Sequence, residues 1–262
     1  MKHRIIIISL AALLSSLVMA QTPEAPASSP ETISLPKGGE VRRLGNAPKA
    51  EASEQKGVWR AGSAAITTPL PNGYPRPTAP GEVVLKTYSS VRRAEVSGKS
   101  MPALGSNVGF WKLFQHIQKR EIAMTSPVEM EYPGLGLDGA MDSSAWLMAF
   151  LYRTSELGEL GQDGDVMVRD TMPVSVLSLG VIGGYGLDPA KENLPRLAAE
   201  LAKHPTLEAS GSPRILHYNG PDTPSDRRWS EVQLPVRLKA APPAASTPDI
   251  KTGVRAMNSR SP

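Results

Sequence analysis

The chain has 262 residues, with 29 Lys or Arg against 25 Asp or Glu and no cysteine. A formal charge of +4, with the basic residues gathered on no single helix, leaves no electrostatic footprint for nucleic acid. The lack of cysteine excludes disulfides, thiolate metal sites, cysteine catalysis and a covalently attached c-type haem.

Residues 1–20 read as a signal peptide. Lys2, His3 and Arg4 form a basic start, Ile5 to Val18 an apolar stretch, and Val18-Met19-Ala20 a cleavage pattern before Gln21. Ser15 and Ser16 break the apolar run, which falls short of the ~20 residues a spanning helix prefers. An uncleaved anchor is the alternative. Cleavage would remove Lys2 and Arg4, leaving 27 basic residues against 25 acidic and a net charge near +2. The expected location is periplasmic or secreted.

Residues 21–76 are rich in Pro, Ala, Ser, Gly and charge, interrupted only by Val58-Trp59, and are expected to form a disordered leader. Residues 239–262 share that composition and are expected to form a disordered tail. The globular part is then 77–238, long enough to bury a core without metals or bridges.

Within it, strands are expected near Val83–Tyr88 and Val91–Val96, followed by a helix over Val108–Lys119. Phe110, Trp111, Leu113, Phe114 and Ile117 give that helix one broad apolar face. A strand over Ile122–Tyr132 should follow, with Ile122, Met124, Ser126, Val128 and Met130 on one face and Glu129 and Glu131 on the other. Trp146–Arg153 completes the first half. The second half gives strands near Val166–Arg169 and Val174–Ile182, then a helix within Pro189–Lys203 whose Leu194, Leu197, Ala198 and Leu201 share a face. Strands at Ile215–Tyr218 and Trp229–Leu238 close the chain. Pro127 and Pro173 cannot donate to a ladder, so each should mark an edge, a bulge or a strand start. A strand pair, a helix and a strand pair, repeated, make an antiparallel α+β domain with pseudo-two-fold character.

The run Asn107 to Ile117, N-x-G-F-W-K-L-F-x-x-I, followed by Ile122-Ala-Met-Thr-Ser-Pro-Val-Glu-Met130, resembles the SOUL haem-binding protein family. His217-Tyr218-Asn219-Gly220-Pro221, with Arg227-Arg228-Trp229-Ser230-Glu231-Val232 after it, resembles that family's closing segment. Val83 to Val96 resembles its opening strand pair. Together these cover roughly Pro77 to Leu238. The resemblance implies a distorted eight-strand antiparallel barrel with two flanking helices. It also implies a non-enzymatic protein that binds haem or another tetrapyrrole, and a fold related to effector-binding domains.

A non-covalent haem site needs an apolar slot, cations for the propionates and, optionally, an axial ligand. Phe110, Trp111, Phe114, Ile122, Met124, Met148 and Phe150 are candidates for the slot, with core packing the plainer role for each. Arg93, Lys99 and Arg227, with Arg92 and Lys112, are candidates for the propionates. His116, His217 and Met124 are the candidate iron ligands. The family's histidine in the opening strands has no counterpart in Val83–Val96.

No H-E-x-x-H, G-x-S-x-G, Walker or dinucleotide motif occurs, and the glycine run Gly180–Gly186 reads as the end of a strand in a mobile loop. Glu129 and Glu131 read as a solvent-facing pair. Glu231 admits two readings, a buried base or a partner of Arg228. Three functions therefore stand: a tetrapyrrole-binding protein, an enzyme on the same scaffold (a hydrolase or haem-modifying), and an envelope interaction protein without a ligand. A buried Glu231 with a raised pKa would favour the enzyme.

Overall fold

Residues 33–99 and 102–240 are described by a computed structural model. The expected signal peptide, the first part of the leader and nearly all of the tail lie outside them. In chain order the elements are β1 (Val41–Leu44), β2 (Ser53–Gln55), β3 (Val58–Ala61), β4 (Ala64–Ile66), β5 (Val83–Tyr88), β6 (Arg92–Gly98), α1 (Pro102–Lys119) and β7 (Val128–Glu131). They continue with β8 (Trp146–Leu151), β9 (Gly161–Asp163), β10 (Val166–Asp170), β11 (Val174–Ile182), α2 (Asp188–Ala202), β12 (Leu207–Ala209), β13 (Arg214–His217) and β14 (Trp229–Leu238).

The class is α+β, as the pattern of strand pairs and helices implies. One 11-stranded sheet runs in the order β1-β5-β11-β14-β13-β7-β8-β6-β10-β9, with β12 added beside β14. Its named ladders are antiparallel, and its path is open, from β1 to β9. Val174 pairs with Tyr88 and, four residues back, Asp170 pairs with Arg92. The β5–β11 and β6–β10 ladders therefore share one register across the breaks at 89–91 and 171–173. Pro127 and Pro173 each stand immediately before a strand, β7 and β11, where a missing N–H costs the ladder nothing.

Both helices lie on one face. On α1, Leu113 and Ile117 are buried, and Gly109 brings the helix against the Trp146 indole. Leu194 and Leu197 of α2 are buried with Leu177, Leu179, Val232 and Leu234 of β11 and β14. This stripe-on-sheet burial is the main core.

The strand expected over Ile122–Tyr132 is shorter, beginning only at Val128. The preceding residues are drawn away from the ladder. Thr125 donates its hydroxyl to the Leu151 carbonyl, and the Ser126 amide donates to the Pro69 carbonyl at 2.9 Å.

The larger correction concerns the leader. Residues 33–76, expected to be disordered, are ordered. Here β1 pairs with β5, while β2, β3 and β4 form a separate three-stranded sheet. Lys56 and Gly57 both have positive φ, 53° and 80°, the geometry of a tight hairpin turn between β2 and β3. Ala61, Ala64 and Ile66 then bury themselves against Leu216, Tyr218 and Trp229 on the sheet face opposite the helices. A few apolar residues were enough, because they are covered by aromatics from the main sheet rather than by one another.

Gly180 lets the leader cross the sheet. Its carbonyl accepts from the Gly81 amide at 2.8 Å and its amide donates to Glu82. A Cβ there would collide with the Thr78 and Ala79 carbonyls. Gly180→Ala should therefore cost ~2–3 kcal/mol by overpacking. The cost should appear as a lowered thermal midpoint and faster proteolysis within residues 33–80 than in the wild type.

Candidate functional site

A cavity of about 550 Å³ opens between α1 and the loop that enters α2. Phe110 and Trp111 of α1, Val128 and Met130 of β7, Met148 of β8 and His217 of β13 line it. The loop contributes Tyr185, Gly186 and Leu187, and Asp188 begins α2 at its edge. The alternation of β-strand side chains explains the selection. In the β7–β13 ladder His217 stands opposite Val128, and Ile215 opposite Met130, so these four share the helix-side face.

His217 is the polar group that the strands contribute at the floor of this wall beside Val128. Its Nδ1 lies 3.1 Å from Ser230 Oγ, and the Tyr185 ring stacks on it at 4.4 Å. Its Nε2 is buried with no hydrogen-bond partner. Burial, helped by the positive charge of Arg228, pushes the imidazole down to about 4. A contact with the Gly186 backbone, outside hydrogen-bond geometry, opposes the shift. The ring is therefore neutral at pH 7. We assign the Nδ1–H tautomer, donating to Ser230, which leaves a lone pair on Nε2. Such a nitrogen can accept a hydrogen bond or bind a metal.

Arg228 sits beside this group. It donates to the carbonyls of Pro221 and Thr223, both at 2.7 Å, and lies 5.7 Å over the Tyr185 ring. Its Nε is buried without a partner.

Of the residues expected in an apolar slot, Phe110, Trp111 and Met148 line the cavity. Trp111 is 59 % exposed, at the edge of the α1 face rather than within it. Phe114 stacks on Phe110, and Phe150 packs edge-on to Phe110 from the core. Ile122 and Met124 pack on the core, outside the cavity lining, so Met124 is not placed as an iron ligand. His116 is not in the lining either. Its two ring nitrogens meet Asp163 at 2.8 Å and the Tyr152 hydroxyl at 2.9 Å.

The expected propionate cations are not gathered here. Arg93 lies on the opposite face, paired with Glu95, Glu129 and Glu131. Arg92 pairs with Asp170 and Lys112 with Asp165. Lys99 and Arg227 are absent from the lining, and Arg228 is the cation beside the site. Tyr185, within the glycine run Gly180–Gly186, and Leu187 just after it carry no periodic signal in the sequence, since the run reads as a loop. An aromatic held between Gly183 and Gly186, both at positive φ, was the available signal.

On the opposite face, the two carboxylates expected to face solvent are instead enclosed. Glu129 is buried and accepts from Arg93 and Arg214. These two arginines outweigh the effect of burial and lower its pKa. Glu131 is raised, by burial and by the charge of Glu129. Glu231 is fully buried, and its partner is Lys86 at 2.8 Å, not Arg228. It also accepts from the Thr78 amide, the Tyr218 hydroxyl and Gln233. Burial would raise its pKa, but Lys86 and these donors overcome that and hold it at about 2. Glu231 is thus a structural staple that ties Thr78 to β5 and β14.

No family model and no curated protein matches the chain. Solved structures do resemble it. A complex of EcmrR with DNA is 12% identical with a TM-score of 0.50, covering 60% of this chain and 57% of that one. This chain thus spans little more than half the length of that relative. An uncharacterized conserved protein from Listeria innocua is 11% identical, with a TM-score of 0.48 over 62% of this chain and 94% of that one. A hydrolase from Listeria innocua is 12% identical, with a TM-score of 0.45 over 62% and 93%. At such identities the likeness is one of fold alone. Among the described residues, no three His, Asp or Glu are grouped to hold a metal ion, and no helix is long and apolar enough to cross a membrane.

The buried imidazole predicts an acid-sensitive stability. The folded pKa of His217 lies below its unfolded value, so the unfolded chain binds the proton more readily. The penalty is absent above about pH 6.5, grows as the pH falls, and is complete near pH 4. It should reach on the order of 3 kcal/mol. In urea unfolding at pH 7 and pH 4.5, His217→Phe should show the smaller loss between the two.

Proposed function

We propose that this chain is a small-ligand-binding protein that takes a flat, largely apolar molecule in the α1–α2 cavity. The SOUL resemblance makes a tetrapyrrole such as haem its ligand class. The observation carrying this reading is His217, a neutral imidazole whose Nε2 is buried without a partner in a wall otherwise built largely of apolar and aromatic residues. An unpaired buried nitrogen costs roughly 1–3 kcal/mol, and a bound ligand would relieve that cost.

The residues present fit a haem group. About 550 Å³ lies within the ~300–1,000 Å³ of ordinary ligand sites. Phe110, Trp111, Met130 and Met148 offer apolar and polarizable contact. His217 Nε2 would hold the iron, with Ser230 fixing the tautomer from behind. Arg228, stacked over Tyr185 behind the lining, would set a positive charge near the bound group, while Asp188 at the rim would turn the acidic edge away from α2. When bound, haem would supply its iron as the coordination centre. The chain supplies the enclosure, the nitrogen and the exclusion of water.

The finer expectations belong to the same reading. The shared register of the β5–β11 and β6–β10 ladders supports two long bent strands at the heart of an eight-strand barrel. The basic and apolar pattern of residues 1–20 supports export to the periplasm or beyond. Glu231 gives the enzymatic alternative no support, since its lowered pKa and filled oxygens make it neither base nor nucleophile.

Titration of the purified full-length chain with haemin, followed by absorbance, tests the proposal. A saturable one-to-one Soret shift is expected, abolished in His217→Ala and retained in His116→Ala and Met124→Ala. A spectrum that stays that of free haemin overturns the tetrapyrrole class. A shift retained in His217→Ala overturns the role of His217.

A further inference from the structure

On the sheet face away from the helices lies a second cavity, of about 350 Å³, which shares no residue with the first. Alternation separates them. Val128, Met130 and His217 look toward the helices, while Glu129, Glu131 and Arg214 look the other way. Arg214 crosses this second cavity's wall. Its Nε donates to Gln233 at 2.9 Å and its Nη1 to Glu129 at 2.7 Å. Its guanidinium lies 5.1 Å over the Tyr88 ring. Only 8 % of the residue is exposed, yet Nη2 has no partner.

Two nitrogens and one face of this guanidinium are thus held in place by neighbours, and Nη2 is left as a donor. A planar, fixed donor of this kind is matched by an oxygen acceptor. The remaining wall narrows the choice. Tyr74 and Tyr88, with ring centroids 4.6 Å apart, belong to it, as do Val91, Val174 and Pro235, so an apolar body is accommodated beside the charged edge. Burial holds the Tyr74 phenol protonated, its pKa well above the usual value, so it too can donate. Glu129, Glu131 and Asp170 line the same space with Arg93 and Arg169, and these two arginines are already paired with Glu129, Glu131 and Glu95. The unpartnered Arg214 Nη2 therefore adds one uncompensated donor, which suits a single negative charge.

We infer that this cavity is a second binding site, for a small monocarboxylate with an apolar or aromatic body. The carboxylate accepts from Arg214 Nη2, and the body rests against Tyr74 and Tyr88. The leader creates the site, because Tyr74 belongs to it. This site is independent of the tetrapyrrole reading.

Calorimetric titration of the full-length chain with benzoate tests it, with benzamide as the neutral isostere and inorganic phosphate as the multiply charged one. Saturable benzoate binding at millimolar or lower concentration is expected, well ahead of benzamide and phosphate. Tyr74→Phe should weaken it roughly fivefold, the loss of about one hydrogen bond. Arg214→Lys, which keeps the charge but not the fork, should weaken it further. Met172, 82 % exposed in the same lining, allows a variant that leaves the fold intact, and Met172→Glu should weaken benzoate binding by repulsion. No saturable benzoate binding overturns the inference. So does benzamide or phosphate binding as well as benzoate, or a benzoate affinity unchanged in both Tyr74→Phe and Met172→Glu. Haemin titration of these variants should match the wild type, which separates failure here from failure at His217.

Discussion

The pairing of Lys86 with Glu231, both fully buried, is the constraint on which the arrangement of this molecule turns. Two charges removed from water are tolerated only when their remaining donors and acceptors are met. That requirement dictates what must surround them. Thr78 just after the leader, Tyr218 beyond β13 and Gln233 on β14 each send a donor to one carboxylate. The backbone of Arg76 accepts from the same lysine at 3.0 Å. The pair contributes little net energy by itself. Its effect is specificity, since any other docking of residues 76–78 would remove the Thr78 and Arg76 groups that complete the pair's hydrogen bonds.

From this follows a division of labour between the two faces of one sheet. Toward the helices, alternate residues of β7, β13 and β14 are apolar, with His217 and its partner Ser230 the exceptions. Toward the leader, the other alternate residues include Glu129, Arg214, Glu231 and Gln233. A sheet with a polar inner face needs a cover that brings hydrogen-bonding groups with it. The leader and the residues just after it do so through their backbone, with Trp229 donating its indole N–H to the Thr78 carbonyl at 2.8 Å.

Much of this was legible in the amino-acid pattern. The apolar periods located β5, β11 and β14 to the residue, α2 within one position and the C-terminal end of α1, whose start at Pro102 precedes the apolar period by six residues. The separation of Met130 from Glu129 and Glu131 was legible for the same reason. The destination of the acidic face was not, since alternation distinguishes two faces without saying what covers each. The leader misled because Pro, Ala and Gly ordinarily signal a chain that cannot bury itself. Ile66 and Ala64 are buried by aromatics more than 150 positions away, which no local window detects. His217 was legible as a candidate by its register beside Ile215. Tyr185 and Arg228, which complete its surroundings, depend on two loops brought together only by the fold.

Because the leader is tied to β5 through a few residues, its docking is intramolecular. Contacts too weak to recruit a free peptide suffice when the tether holds the local concentration high. A single cut in the chain between Gly81 and Val83 would change none of those contacts at the moment of cleavage. It would change only their molecularity, so the same hydrogen bonds that hold the sheet covered in the intact chain would then compete with dilution.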